Sequence, residues 1–173
     1  MNYEDWVNKG SALTIRHPDP RKNVILVPIR IITRPELCIG NQSSMVETFA
    51  LIDTGATISA IDAELAQKLK LIPVSKCTVN GVHGANIVNM YAFDVSINRS
   101  MNVHVNLATE GQFKTSDFKF LLGMDILRLG ELYLGQEEED GKPVGTIFSF
   151  SIPPTGDSID YVSRLNKAKK HKH

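Results

Sequence analysis

The 173-residue chain predicts a mostly β fold with one or two short helices. Three observations carry this reading. Apolar and polar residues alternate in short runs, most cleanly at Tyr91, Phe93, Val95 and Ile97 and again at Met101, Val103, Val105 and Leu107. A period of two marks a half-buried strand. Turn-forming residues punctuate the runs, as at Asn80-Gly81, Gly84 and Asp140-Gly141. Helical spacing is confined to a brief stretch after Asp62, where Leu65, Ala66 and Leu69 recur on one face.

Taken in order, residues 1–22 are polar and end in His17-Pro18-Asp19-Pro20, which reads as an arm or linker. Trp6, the only tryptophan, is a candidate anchor for it. Val24 to Thr33 is a β-branched strand, and Pro28 within it suggests an edge or a bulge. Arg34 to Ser44 is a loop and Met45 to Ile52 a strand. Asp62 is suited to cap a short helix running to about Lys70. Val74–Val79 and Ile87–Ile97 flank a glycine-containing hairpin, and Met101–Leu107 follows as a half-buried strand. Phe118–Leu122 is a short apolar strand, and Ile126–Leu129 forms one or two helical turns stopped by Gly130. The last strands, Leu132–Leu134 and Thr146–Ile152, are joined by an acidic turn at Glu137–Gly141. Pro153-Pro154 closes the globular part, residues 23–154, and 155–173 form a tail ending in Lys167, Lys169, Lys170 and Lys172.

Composition narrows the function. Net charge is zero, which argues against a general nucleic-acid or membrane-surface binder. Neither interleaved basic and aromatic residues nor an apolar run long enough to span a bilayer is present. The opening residues have neither a basic region nor an apolar one, so no secretory leader is expected. Cys38 and Cys77 fit no metal spacing, and reduced thiols in a cytoplasmic protein are expected.

The stretch with the most chemistry is Ala50-Leu51-Ile52-Asp53-Thr54-Gly55-Ala56, an apolar strand running into an Asp-Thr-Gly turn. Asp-Thr-Gly alone arises by chance in about one chain in thirty of this length, so context decides. Ser59 and the short helix follow it, and downstream stands Leu121-Leu122-Gly123-Met124-Asp125-Ile126-Leu127, with the glycine hairpin between. These elements, in this order over residues 24–152, resemble the retroviral-type (retropepsin-like) aspartic proteases.

The resemblance implies a small closed β-barrel that works as a dimer, an extended peptide or protein as substrate, and no metal or cofactor. Carboxylate-catalysed peptide hydrolysis needs two acids sharing one proton. The motif occurs once, so the site is expected to be built by a homodimer. Asp53 is the candidate catalytic carboxylate, Thr54 the hydroxyl that locks the two loops together, and Gly55 the residue that lets a backbone N–H approach a carboxylate oxygen. Ala56 is expected beside substrate, with Gly81, Val82, His83 and Gly84 as a flap over it. Ile58, Val82 and Val103 or Val105 are candidate pocket walls, or core. Plainer readings stand beside these: Asp53 stabilising its own turn, Thr54 as a β-branched strand residue, residues 81–86 as an ordinary hairpin, and His83 and His104 merely solvated. Asp125, followed by Ile126-Leu127, reads as a structural residue at a helix start.

Two other functions compete with an aspartic endopeptidase. One is an inactive peptide-binding or dimerisation module on the same fold, since the terminal segments depart from the viral pattern. The other is an unrelated β domain touching nucleic acid through its basic tail.

Overall fold

In β2 (Leu26–Ile32), Val27, Ile29 and Ile31 are buried while Pro28 and Arg30 face outward. The same alternation recurs in its neighbours, and the strands close on one another to hide it. A computed structural model describes residues 11–81, 84–99, 101–113 and 117–156. Its strands are β1 (Ser11–His17), β2, β3 (Met45–Ile52), β4 (Ala60–Asp62), β5 (Ser75–Gly81), β6 (Gly84–Ile97), β7 (Met101–Gly111), β8 (Phe120–Leu122), β9 (Glu131–Glu139) and β10 (Lys142–Ile152). Two short helices, α1 (Ala63–Lys68) and α2 (Met124–Leu127), interrupt them. Neither is long enough to cross a membrane.

The larger sheet runs β2-β3-β8-β4-β7-β6-β5, and β2 also pairs with β6 through Ile29–Ile32 and Asp94–Ile97. That pairing closes a six-strand barrel and leaves β5 as the outer arm of a hairpin with β6. Closure removes free edges from the ring. Phe93 and Phe120 meet edge-on inside it, ring centroids 5.8 Å apart. Asp62 ends β4 as a fully buried carboxylate with its partners in place: Oδ1 accepts from Leu65 N and caps α1, and Oδ2 accepts from Phe113 N.

A second sheet, β1-β10-β9, packs against the barrel, and its Leu13, Phe148 and Phe150 join the same buried cluster. Residues 11–17, read above as part of an arm, are therefore a strand. The signal was the alternation of Leu13 and Ile15 with Thr14 and Arg16, masked by the prolines that follow. Residues 1–10 and 157–173, with Trp6 and the terminal lysines, lie outside the described residues.

Three further details differ from the sequence reading. Pro28 lies in a strand paired on both sides, at the end of the β2–β6 ladder, where its carbonyl accepts from Asn98 N and no N–H is needed. Leu107 does not continue the inward face of Met101, Val103 and Val105. The β6–β7 register shifts by one residue between Tyr91 and Phe93, so Ala108 turns inward and Leu107 is left 46% exposed. The acidic residues Glu137–Glu139 belong to β9, and only Asp140-Gly141 forms the turn, both with positive φ.

Phe120→Ala is expected to lower the unfolding free energy by about 3–5 kcal/mol, because it opens a cavity at the barrel centre that the closed ring resists filling. Urea denaturation followed by circular dichroism measures this.

Candidate active site

β8 lies between β3, to which it is parallel, and β4, to which it is antiparallel. The segment joining β3 to β4 must therefore arch over the end of β8. Residues 53–59 are that arch, and they carry the Asp-Thr-Gly motif. Asp53 N donates to Leu122 O at 3.1 Å, continuing the β3–β8 pairing by one residue. The carboxylate stands at the carboxyl end of a core strand, half-buried.

Its turn is local and tight. Gly55 N donates to Asp53 Oδ1 at 2.9 Å, and Ala56 N to Asp53 O at 3.3 Å. A Cβ at position 55 would sit 3.2 Å from that same Oδ1, so a side chain there would press on the carboxylate. Oδ2 has no partner among the described residues. Thr54 and Gly55 are exposed and Ala56 is half-buried.

The other foot of the arch is braced from beneath. Ser59 is fully buried. Its Oγ donates to Asp125 Oδ1 at 2.7 Å and accepts from Gly123 N at 3.0 Å, while Ser59 N donates to the same Asp125 oxygen at 3.0 Å. Met124 N and Asp125 N donate to Ala56 O and Thr57 O at 2.8 and 3.2 Å. Gly123 is the close-packing point: a Cβ there would lie 2.9–3.0 Å from Ile58 C, Ala56 O and Ser59 N. Backbone cannot yield to such a contact, which explains a glycine at this position. Asp125 thus sits at the start of α2 and holds the arch through Ser59. The Ser59–Asp125 link is the part of this site that sequence reasoning missed. Its signal was a lone polar residue in an apolar run, placed opposite an acidic residue in the first turn of a helix.

The proposed flap residues are divided. The β5–β6 ladder reaches Gly81↔Gly84, which places those two glycines opposite each other at the tip of the hairpin. Val82 and His83 lie outside the described residues. At the base of the hairpin Tyr91 Oη donates to Glu110 Oε2 at 2.6 Å, with Asn89 Nδ2 on the same oxygen at 3.1 Å. Burial, reinforced by the Glu110 carboxylate, pushes the Tyr91 phenol up to about 12. Of the candidate pocket walls, Ile58 is exposed on the arch, whereas Val103 and Val105 are buried in the core. His104 is not simply solvated: its Nδ1 lies 2.6 Å from Asp94 Oδ1, which also accepts from Arg34 Nη2 at 2.6 Å. Cys38 and Cys77 are free thiols.

Residues 43–129, just over half the chain, match the model of a family described as "gag-polyprotein putative aspartyl protease". The match spans both Asp53 and the Gly123–Asp125 brace. Among solved structures, a retropepsin-like aspartic protease from Rickettsia conorii is similar, with 17% identity over 83% of this chain and 96% of that one, and a TM-score of 0.47. The Simian Foamy Virus (mac) protease matches at 14% identity over 60% of this chain and 92% of its own, with a TM-score of 0.41. Comparison with curated proteins finds no match.

Ser59→Ala is expected to cost about 1–3 kcal/mol of stability, since it strands Gly123 N and one bond to Asp125 in a buried setting. Thermal unfolding of the two proteins tests this. A change within measurement error would show that the brace is not under load.

Proposed function

The chain belongs to the gag-polyprotein aspartyl protease family and has the retropepsin-like fold, and from that premise we propose that it is an aspartic endopeptidase active as a homodimer. The observation that carries the proposal is a single Asp-Thr-Gly turn per chain, with Asp53 on an arch bonded at both feet, one carboxylate oxygen accepting from Gly55 N and the other without a partner among the described residues.

Two such carboxylates facing each other cannot both ionise cheaply, so the pair holds one proton. The ionised member accepts a proton from a water bound between them as that water attacks the peptide carbonyl carbon. The protonated member donates its proton to the carbonyl oxygen, giving a neutral gem-diol. Collapse of that intermediate breaks the C–N bond as the amide nitrogen is protonated. No covalent acyl-enzyme is formed, and the pair is returned with one shared proton.

The neighbouring residues have consistent roles in this reading. Thr54, exposed on the arch, carries a hydroxyl that both donates and accepts, suited to exchange with its counterpart across the dimer. Ala56 leaves room for a substrate backbone. The β5–β6 hairpin closes over the substrate with Gly81 and Gly84 at its tip, flanking Val82 and His83. An extended peptide then binds as an added strand, with pockets on alternate sides setting preference. Ile58 is a candidate pocket wall. The free thiols fit a reducing, cytoplasmic setting.

Asp53→Asn is expected to abolish hydrolysis of a peptide library between about pH 4 and 7 while leaving the dimer and the fold intact. Sedimentation of the variant beside its activity assay checks both. Hydrolysis equal to wild type would overturn the assignment. Absence of hydrolysis by a wild-type protein that is demonstrably dimeric would favour a peptide-binding module on this fold.

A further inference from the structure

β6 changes partner partway along its length. From Met90 to Ile97 it pairs with β7 in the barrel, and from Gly84 to Met90 it pairs with β5. Met90 is therefore paired on both sides, and Gly84–Asn89 have β5 alone among the described strands. The hairpin leaves the barrel at this level.

A bulge sits beside the exit. Asn106 and Leu107 of β7 together oppose Ala92, between the pairs Phe93↔Val105 and Tyr91↔Ala108. A bulge bends its strand and re-aims the side chains next to it. Asn89 and Tyr91, two apart in β6, share a face. Both reach the next residue but one after Ala108, which is Glu110. Tyr91 Oη donates to Glu110 Oε2 at 2.6 Å, Asn89 Nδ2 donates to the same oxygen at 3.1 Å, and Asn89 Nδ2 lies 3.4 Å from Tyr91 Oη. Tyr91 is 6% exposed, so water is a poor substitute for its acceptor. A phenol pushed up to about 12 stays a donor through the acidic and neutral range. One acceptor would satisfy the buried tyrosine. Here a second donor, from the first residue beyond the β6–β7 ladder, converges on the same oxygen.

Glu110 is held independently of the hairpin. On its other side β7 pairs with β4, placing Ala60 opposite Thr109 and Ile61 opposite Glu110. Thr109 N and Oγ1 both donate to Ser59 O, at 2.9 and 3.3 Å. Ser59 is the foot of the arch that carries Asp53. Adjacent residues of one strand thus hold two separate parts: Thr109 holds the arch and Glu110 the hairpin.

We propose that Asn89, Tyr91 and Glu110 form a clasp at the root of the β5–β6 hairpin, which sets the hairpin's position over the arch and makes them positioning residues for substrate binding. The proposal rests on the protease reading above, in which this hairpin is the flap, and adds what fastens it.

The test compares wild type with Tyr91→Phe, Glu110→Ala and Glu110→Gln in the full chain, by amide hydrogen exchange and by steady-state peptide cleavage. Tyr91→Phe keeps the buried ring and removes only the hydroxyl. In Tyr91→Phe and Glu110→Ala, exchange along β5 and Gly84–Asn89 is expected to quicken about tenfold while β2 and β3 stay as they are. KM should rise about tenfold with kcat within about twofold. Glu110→Gln keeps an acceptor and should restore most of what Glu110→Ala loses. Protection lost evenly across the barrel would mean a purely structural role and overturn the proposal. Hairpin exchange equal to wild type, or a loosened hairpin with KM unchanged, would overturn it as well. A wild-type protein that cleaves nothing would overturn the protease reading alone. The exchange comparison then decides the clasp by itself, since a locally quickened hairpin supports it and an unchanged one does not.

Discussion

The hydroxyl of Ser59 is the point on which the site depends. It donates to Asp125 and accepts from Gly123, and so ties the arch that carries Asp53 to the start of α2. The arch has little else to hold it: Thr54 and Gly55 face solvent, and a turn of seven residues has too little apolar surface to fix itself. Its order comes from bonds at each foot, to Leu122 at one end and to the Gly123–Asp125 turn at the other. The barrel matters to function for this reason. It fixes β8 between β3 and β4, and β8 supplies one attachment point, Leu122, and leads directly into the other, Gly123–Asp125. A carboxylate positioned this way is set by core packing rather than by loop conformation, which is what a reaction sensitive to small displacements requires.

The same brace fixes where the chain goes after the site. α2 is short, and its first N–H groups are spent on the arch. The chain then leaves through β9, which pairs with β10 alone among the described strands. Both sheets are built from one chain, and on the homodimer reading proposed above that chain carries half of a catalytic pair. On that reading dimer affinity sets how much active enzyme is present.

Much of this was legible in the sequence. The β runs, the Asp62 cap, the Asp-Thr-Gly turn and the Leu-Leu-Gly-Met-Asp segment are all local signals, and each stands where its pattern implied. Asp125 was legible as structural because nothing following it could form a second motif. What stayed hidden were properties of pairing between distant segments. The register shift that expels Leu107 depends on how β6 meets β7, and no periodicity within β7 announces it. Pro28 signalled an edge, but the place where the β2–β6 ladder ends is set by β6. Ser11–His17 was obscured by polar neighbours and prolines, and it becomes a strand because β10 offers it a partner. His104 looked solvated because Asp94 reaches it from β6 and Arg34 from the loop after β2.

The most direct test of a site shared by two chains is to mix them. Wild-type protein is assayed for peptide cleavage while increasing amounts of Asp53→Asn are added at fixed wild-type concentration. Mixed dimers hold one carboxylate that can ionise and one amide that cannot, so activity per wild-type chain should fall as the variant is added in excess. Activity that holds constant at every ratio, under conditions where mixed dimers are shown to form, would mean that one chain carries a complete site and would contradict the account.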